Sequence, residues 1–348
     1  MNRRERRAAV ARGKTDLTSA PADIPDLTAE AYRAYQQGQA EQAEVICKRI
    51  LARVPAHKST LTLLGRINQA SGRHRLAVKR FAEAIALNDL DAVCHYDIAR
   101  SYQILDQQAA AAAHFKRAIA LGMGDEKDVE EFVMQNPVIV ECVGRIIDGS
   151  NLAIKRDALF GAGDIAAIAH DGFLRCALEL TIIRGVTLEL FLTHLRYTLL
   201  QLACGNIHVS AKVADDLTGF FCALAQQCFN NEYVFAQSDE ETQQVTRLRD
   251  LLAQNLTTGK EIPPLLLAAV AAYFPIHSIA NAGSLLAGEW PPHAADLLRQ
   301  QIREPFDERQ DSHTLRVLTS IDDGTSIQVM QQYEENPYPA GRSIGSLP

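Results

Sequence analysis

No stretch of this sequence is long and apolar enough to cross a bilayer. The most apolar run, Leu265–Phe274, is bracketed by Pro263, Pro264 and Pro275 and falls well short of the about 20 residues that a span requires. It reads as a buried helix. No apolar region follows the six basic residues of the first fourteen (Arg3, Arg4, Arg6, Arg7, Arg12, Lys14), so this start does not have the form of a secretory leader. No CxxC occurs. The seven cysteines (Cys47, Cys94, Cys142, Cys176, Cys204, Cys222, Cys228) are odd in number and each sits among apolar residues. That is the pattern of small buried hydrophobes in a reducing compartment, not of disulfides or metal ligands, and a cytoplasmic location is expected. A basic field is missing too: the net charge is −7 and the pI about 5.8, which gives no ground for nucleic-acid binding, and no membrane contact is expected.

Catalytic patterns are equally scarce. There is no HExxH, and the ten histidines are scattered; His170 and His194 fall within helical stretches as structural side chains. Gly161-Ala-Gly163-Asp-Ile-Ala166 has the spacing of a dinucleotide loop, but the charged segment Ala153–Phe160 before it is not a strand, and that chemistry needs a strand–turn–helix frame. Gly341-Arg-Ser343-Ile-Gly345 matches a nucleophile elbow three residues from the last position, with no room for the helix that must carry the serine. The adjacent pairs Asp215–Asp216 and Asp322–Asp323 point about 100° apart on a helix and do not converge on one bond. The sequence therefore predicts no catalytic residue, no metal site and no cofactor.

What is present is a repeat. At a step of 34 residues fall Ala43, Ala77 and Ala111; Cys47, Phe81 and Phe115; Ile50, Ala84 and Ala118; Gly38, Gly72 and Asp106; Leu27, Leu61 and His95; and Ala31, Gly65 and Ala99. This period belongs to a helix–turn–helix unit stacked on copies of itself. The small residues mark helix crossings, where only a short side chain lets backbones approach to 8–10 Å. Phe81 and Phe115 fill the gap between one pair and the next. Pro55 stops the first unit, and Asn88–Asp89 take that place in the second. Repeats are expected near 24–57, 58–91 and 92–125, closed by an amphipathic capping helix at Asp125–Met134.

These residues resemble tetratricopeptide repeats (TPR) over roughly 24–125, with Leu27, Leu61 and His95 where that family carries an aromatic and Cys47 in place of Phe. The resemblance implies that the first helix of each pair lines a groove. Tyr32 and Tyr35, Arg66 and Gln69, and Arg100 and Gln103 occupy its groove-facing positions, and such side chains suit a peptide's carboxylates and backbone. A protein or peptide partner, with a leaning to acidic ones, is expected.

From about residue 137 the 34-residue step is gone but a helical period persists: Leu188, Phe191, Leu192, Leu195, Leu199 and Leu202, then Phe220, Leu224 and Cys228. No run of alternating strands is seen. The expected fold is all-α: a disordered basic tail over 1–22, a TPR solenoid over 23–135, an all-helical domain of seven to nine helices over 136–318, and a linker-like segment over 319–348 with a short helix at Ser326–Tyr333. That segment ends in Tyr333-Glu334-Glu335-Asn336-Pro337-Tyr338-Pro339, where the prolines forbid further helix and the tyrosines suit docking. The order of TPRs, the string Phe220–Tyr233 and this Tyr-Pro segment is similar to bacterial TPR proteins fused to a class I S-adenosylmethionine-dependent methyltransferase. The chain departs from that pattern at Ala340, and the family's cofactor loop and acidic ribose ligand have no counterpart here. The resemblance implies a front half without its catalytic domain, and two readings stand: a non-catalytic interaction scaffold, or the recognition half of a split or truncated methyltransferase whose catalytic half is a separate chain.

Overall fold

The computed structural model describes residues 23–152, 159–205 and 211–314. Among these every regular element is a helix. It divides into two compact units, Met1–Met123 and Gly124–Pro348.

The first unit is three helical hairpins: α1 (Ile24–Gln36) with α2 (Ala40–Arg53), α3 (Lys58–Ala70) with α4 (His74–Leu87), and α5 (Ala92–Ile104) with α6 (Gln108–Ala120). The three tight turns are copies of one another. Gly38, Gly72 and Asp106 all adopt left-handed φ (+75°, +70° and +58°). Each is followed by a closing bond back to the preceding helix: Gln39 N to Ala34 O, Arg73 N to Asn68 O, and Gln107 N to Tyr102 O, at 2.8–2.9 Å. Glycine adopts this conformation without strain, and aspartate tolerates it better than most residues.

The small-residue columns work as spacing predicts. Ala31, Ala43, Ala77, Ala99, Ala111 and Ala118 are at most 1% exposed. Phe81 and Phe115 are fully buried. Gly65 lies so close to Phe81 that an added Cβ would fall 2.5 Å from its ring. α1 starts with proline in its first turn, where the missing N–H has no cost. α5 starts on Asp91, whose carboxylate accepts from Cys94 N at 3.0 Å, an N-cap worth about 1 kcal/mol.

The expected capping helix is present as α7 (Glu126–Val133) but belongs to the second unit. Its Phe132 packs edge-on against Phe173 at 5.9 Å between ring centres. The split between the two units follows Met123. That aromatic contact is made 41 residues ahead in sequence, and local periodicity does not record such contacts.

After α7 come α8 (Pro137–Leu152), α9 (Ala162–Ala169), α10 (Gly172–Leu180), α11 (Val186–Ala203), α12 (Ala211–Asn230), α13 (Asp239–Thr258), α14 (Pro264–Ala271), α15 (Pro292–Leu298) and α16 (Glu304–Thr314), with short 3₁₀ turns at Ile276–Ser278 and Ala282–Ala287. α12 is the hub, packed on α9, α10, α14 and α15. The sequence stripe of α11 is the buried one: Leu188, Phe191, Leu192, Leu195 and Leu199 are at most 1% exposed. α14 is the run that was too short for a membrane, and it is buried throughout Leu266–Ala271; no helix among the described residues is long and apolar enough to cross a membrane. α13 shows its origin most plainly. Ser238 and Glu241 form a reciprocal capping box, Asp239 and Glu240 add charge to the first turn, and Gly259 (φ +65°) ends the helix, each agreeing with the helix dipole or the left-handed stop.

Candidate functional site

α1, α3 and α5 lie side by side. The six residues picked out by the repeat fall on them in matching register, Tyr32 and Tyr35 on α1, Arg66 and Gln69 on α3, Arg100 and Gln103 on α5, and all are half-buried. On α5, helical spacing adds Val93 (42% exposed) and Ile104 (59%) to the same stripe. The face thus combines phenol rings, amides, guanidinium groups and aliphatic patches.

The side chains on this face bond from helix to helix. The Tyr32 hydroxyl donates to Ser59 O at 3.3 Å, joining α1 to α3. Arg66 Nε donates to Asp97 Oδ2 at 2.7 Å. Gln69 Nε2 donates to Asp97 O at 2.9 Å and Ser101 Oγ at 3.1 Å. Arg100 Nη1 donates to Gln103 Oε1 at 3.4 Å within α5. Burial pushes the Asp97 carboxyl above its usual range, and the Arg66 guanidinium pulls it part of the way back. Burial likewise raises the Tyr32 phenol, again opposed by Arg66.

Two of the six residues therefore have a role that the sequence did not reveal. Arg66 and Gln69 tie α3 to α5, and the charge of Arg66 is already matched by Asp97. Its use as a clamp for a partner's carboxylate is weakened accordingly. Asp97 is the residue sequence reasoning missed. A signal existed: Asp97 lies one position short of one turn before Arg100, the repeat counterpart of Arg66, so it stands on the flank of the same stripe. Tyr333–Pro339 lie outside the described residues.

The dinucleotide-like glycine pattern lies in the second unit. The Gly161–Ala166 segment opens α9, whose first turn already holds a carboxylate: Asp164 Oδ2 accepts from Gly161 N at 2.9 Å and from Arg145 Nη2 at 2.8 Å. Among the described residues no group of three His, Cys, Asp or Glu side chains is placed to share a metal ion. The cysteines are free thiols, all buried but the half-buried Cys204, and desolvation pushes Cys47, Cys222 and Cys228 up to about 12. Thiols held protonated in this way are poor nucleophiles. A shallow cleft of about 260 Å³ is lined by Ile182, Arg184, Glu189, Asn231 and Glu232 among others.

The most unusual polar group of this unit is Arg196 on α11, which is fully buried. Its Nη2 donates to Phe235 O and Ala236 O at 3.2 and 3.0 Å. Its guanidinium lies 4.2 Å from the centre of the Tyr273 ring, and the Tyr273 hydroxyl donates to Glu241 at 2.9 Å. This chain of contacts pins the segment after α12 to α11 and α13. Arg196, Glu241 and Tyr273 are all buried, so this cluster reads as architecture.

No family model matches this sequence, and no curated protein matches it. Among solved structures it is similar to an O-GlcNAc transferase mutant from Thermobaculum terrenum (21% identity, TM-score 0.31), over 44% of this chain and 27% of that one. It is also similar to the Naa15/Naa10 complex bound to HypK-THB (16% identity, TM-score 0.28), over 90% of this chain and 42% of that one. This chain thus spans less than half the length of either.

Proposed function

We propose that this protein is a non-catalytic interaction scaffold that holds a protein or peptide partner on the α1–α3–α5 face. The observation that supports this most directly is register. Three successive hairpins present Tyr32/Tyr35, Arg66/Gln69 and Arg100/Gln103 at one step on neighbouring helices, and helix-to-helix bonds hold Tyr32, Arg66 and Gln69 before any partner arrives. A pre-ordered face loses less side-chain entropy on binding. Tyrosine and arginine are also the residues most often dominant at interfaces. With Arg66 matched by Asp97, Arg100 and the tyrosines carry the reading, and the acidic leaning of the partner rests on Arg100.

The test is capture of partners from the source cell with the full chain as bait. Tyr35→Ala together with Arg100→Ala leaves the Arg66–Asp97 pair intact. This variant is expected to lose the specific partner at least tenfold while keeping its helical circular dichroism. Undiminished capture by the folded variant would sink the proposal. The second reading, the recognition half of a split S-adenosylmethionine-dependent methyltransferase, is favoured by the order of repeats, helical region and Tyr-Pro segment in the sequence. It predicts that a methyltransferase chain is among the captured partners. A cytoplasmic site of action follows from the same reading of the cysteines as reduced thiols.

A further inference from the structure

His95 stands where the two earlier repeats carry Leu27 and Leu61, and it is 5% exposed. A buried imidazole in an apolar slot needs partners for both ring nitrogens, and it has them. Nε2 lies 3.0 Å from Asp89 O. A carbonyl oxygen only accepts, so Nε2 carries a hydrogen, and in neutral His95 the lone pair is on Nδ1. That Nδ1 lies 2.9 Å from His114 Nδ1 on α6, which must therefore be the donor. The two rings are 5.1 Å apart between centres, and Tyr102 stacks on the outer side of His114 at 5.6 Å and 12°. The tautomers follow from the bonding pattern rather than from hydrogens seen directly.

This arrangement sets a limit on proton uptake. One hydrogen occupies the line between the two Nδ1 atoms. One further proton can be taken at His114 Nε2, away from the junction, leaving that line unchanged. A second would place an N–H on each side of a 2.9 Å gap, and the rings would have to part. In an unfolded chain the two imidazoles take two protons independently.

We propose that the His95–His114 pair is a proton-operated latch on the third hairpin: a single hydrogen shared between the two Nδ1 atoms holds α5 to α6, and full protonation of both rings opens it. The hairpin it closes carries Arg100 and Gln103, so acid would loosen that end of the proposed partner face. Burial lowers the His114 imidazole below its ordinary value, and His95 adds to this, which agrees with a native state that resists protonation. The sign follows. The unfolded chain binds more protons below about 6.5, so stability is complete above that pH and is lost as pH falls through it.

The surrounding charges do not compensate. Asp89 faces Arg117 at 3.3 Å, Asp91 is bonded to Lys58 on α3 at 2.8 Å, Arg80 and Glu83 on α4 bond to each other, and Asp97 is bonded to Arg66. Lys116 on α6 adds positive charge, and Tyr102 is a phenol. Among the described residues no carboxylate bonds either imidazole.

The experiment is hydrogen exchange by mass spectrometry on the full chain between pH 7.5 and 5, corrected for the intrinsic pH dependence of exchange. Peptides covering 92–120 should show opening that rises roughly tenfold per pH unit below about 6, the one-proton limit. Peptides covering 24–53, which contain no histidine, serve as the internal reference and should stay flat. His114→Gln can turn either its amide N–H or its amide oxygen toward His95 Nδ1, so it accommodates that ring with or without a second proton, and its 92–120 peptides should lose the slope whatever their baseline. A direct reading that needs no variant is the nitrogen-15 spectrum of the imidazoles: as pH falls, the folded chain should take up a single proton across the pair, at His114 Nε2, with the line between the two Nδ1 atoms unchanged. Equal slopes for both sets of peptides, an unchanged slope in His114→Gln, or two rings titrating independently near 6.5 would each overturn the latch.

Discussion

At the scale of single residues, Gly65 shows how narrowly the repeat is specified. Alanine favours a helix over glycine by about 1 kcal/mol, and on propensity alone Gly65→Ala should stabilise α3. The added Cβ would fall 2.5 Å from the ring of Phe81, which is fully buried and cannot swing away. Overpacking of this kind costs about 1–3 kcal/mol and outweighs propensity. Gly65→Ala is therefore expected to lower the midpoint of denaturant unfolding, and Phe81→Leu in the same chain to recover part of the loss. A more stable single variant would show that the two helices are not in contact there. Arg66→Ala belongs to this scale as well. It leaves Asp97 half-buried without its guanidinium, and a loss of about 1–3 kcal/mol is expected, measurable in the same assay. Both positions were visible in the sequence as repeat columns. That Gly65 marks a helix crossing was legible from its column; that Phe81 stands opposite it was not, since spacing assigns the Phe81 column to the gap between pairs. That Arg66 faces Asp97 was not, because the partner lies on the next hairpin and the repeat shows only what recurs.

At the scale of elements, the segment Arg299–Arg303 departs from a regular helix by widening into a π turn. Gln300 and Gln301 in this turn are both buried (3% and 0% exposed). Gln301 uses the position fully. Its Oε1 accepts from Ile276 N at 3.2 Å, and its Nε2 donates to Ala225 O and Ala271 O at 3.2 and 3.1 Å. One side chain thus ties α12, the end of α14 and the 3₁₀ turn together. Gln301→Leu keeps the volume and removes all three bonds, so a loss of roughly 2–4 kcal/mol is expected, seen as a lower thermal midpoint of the second unit. A change below about 0.5 kcal/mol would mean that the carbonyls and the amide find other partners. Nothing in the sequence marks this turn. The capping box of α13 is the opposite case: Ser238 and Glu241 sit three apart before a helical run, and that spacing alone announces the start of the helix.

At the scale of the whole molecule, charge is divided unequally. Residues 1–123 hold 19 Lys and Arg against 12 Asp and Glu, and residues 124–348 hold 16 against 30. The overall pI of about 5.8 hides a repeat unit that is positive. A partner of acidic chemistry would use this excess, and its capture should then weaken about tenfold or more between 0.05 M and 0.5 M salt, as the screening length shortens. Salt-independent capture would instead assign the binding to the tyrosines and aliphatic groups of the face.

The sequence by itself determined the all-helical class, the three hairpins and the six residues on the first helices, because each depends on spacing within one chain segment: 3.6 residues per turn and 34 per repeat. Only the tertiary structure decided that α7 joins the second unit, that Asp97 already matches Arg66, that Gln301 is turned inward, and that His95 meets His114. Each of these is a contact between segments, set by which surfaces pack and which polar groups must then be satisfied, and such contacts leave no period in the sequence to read.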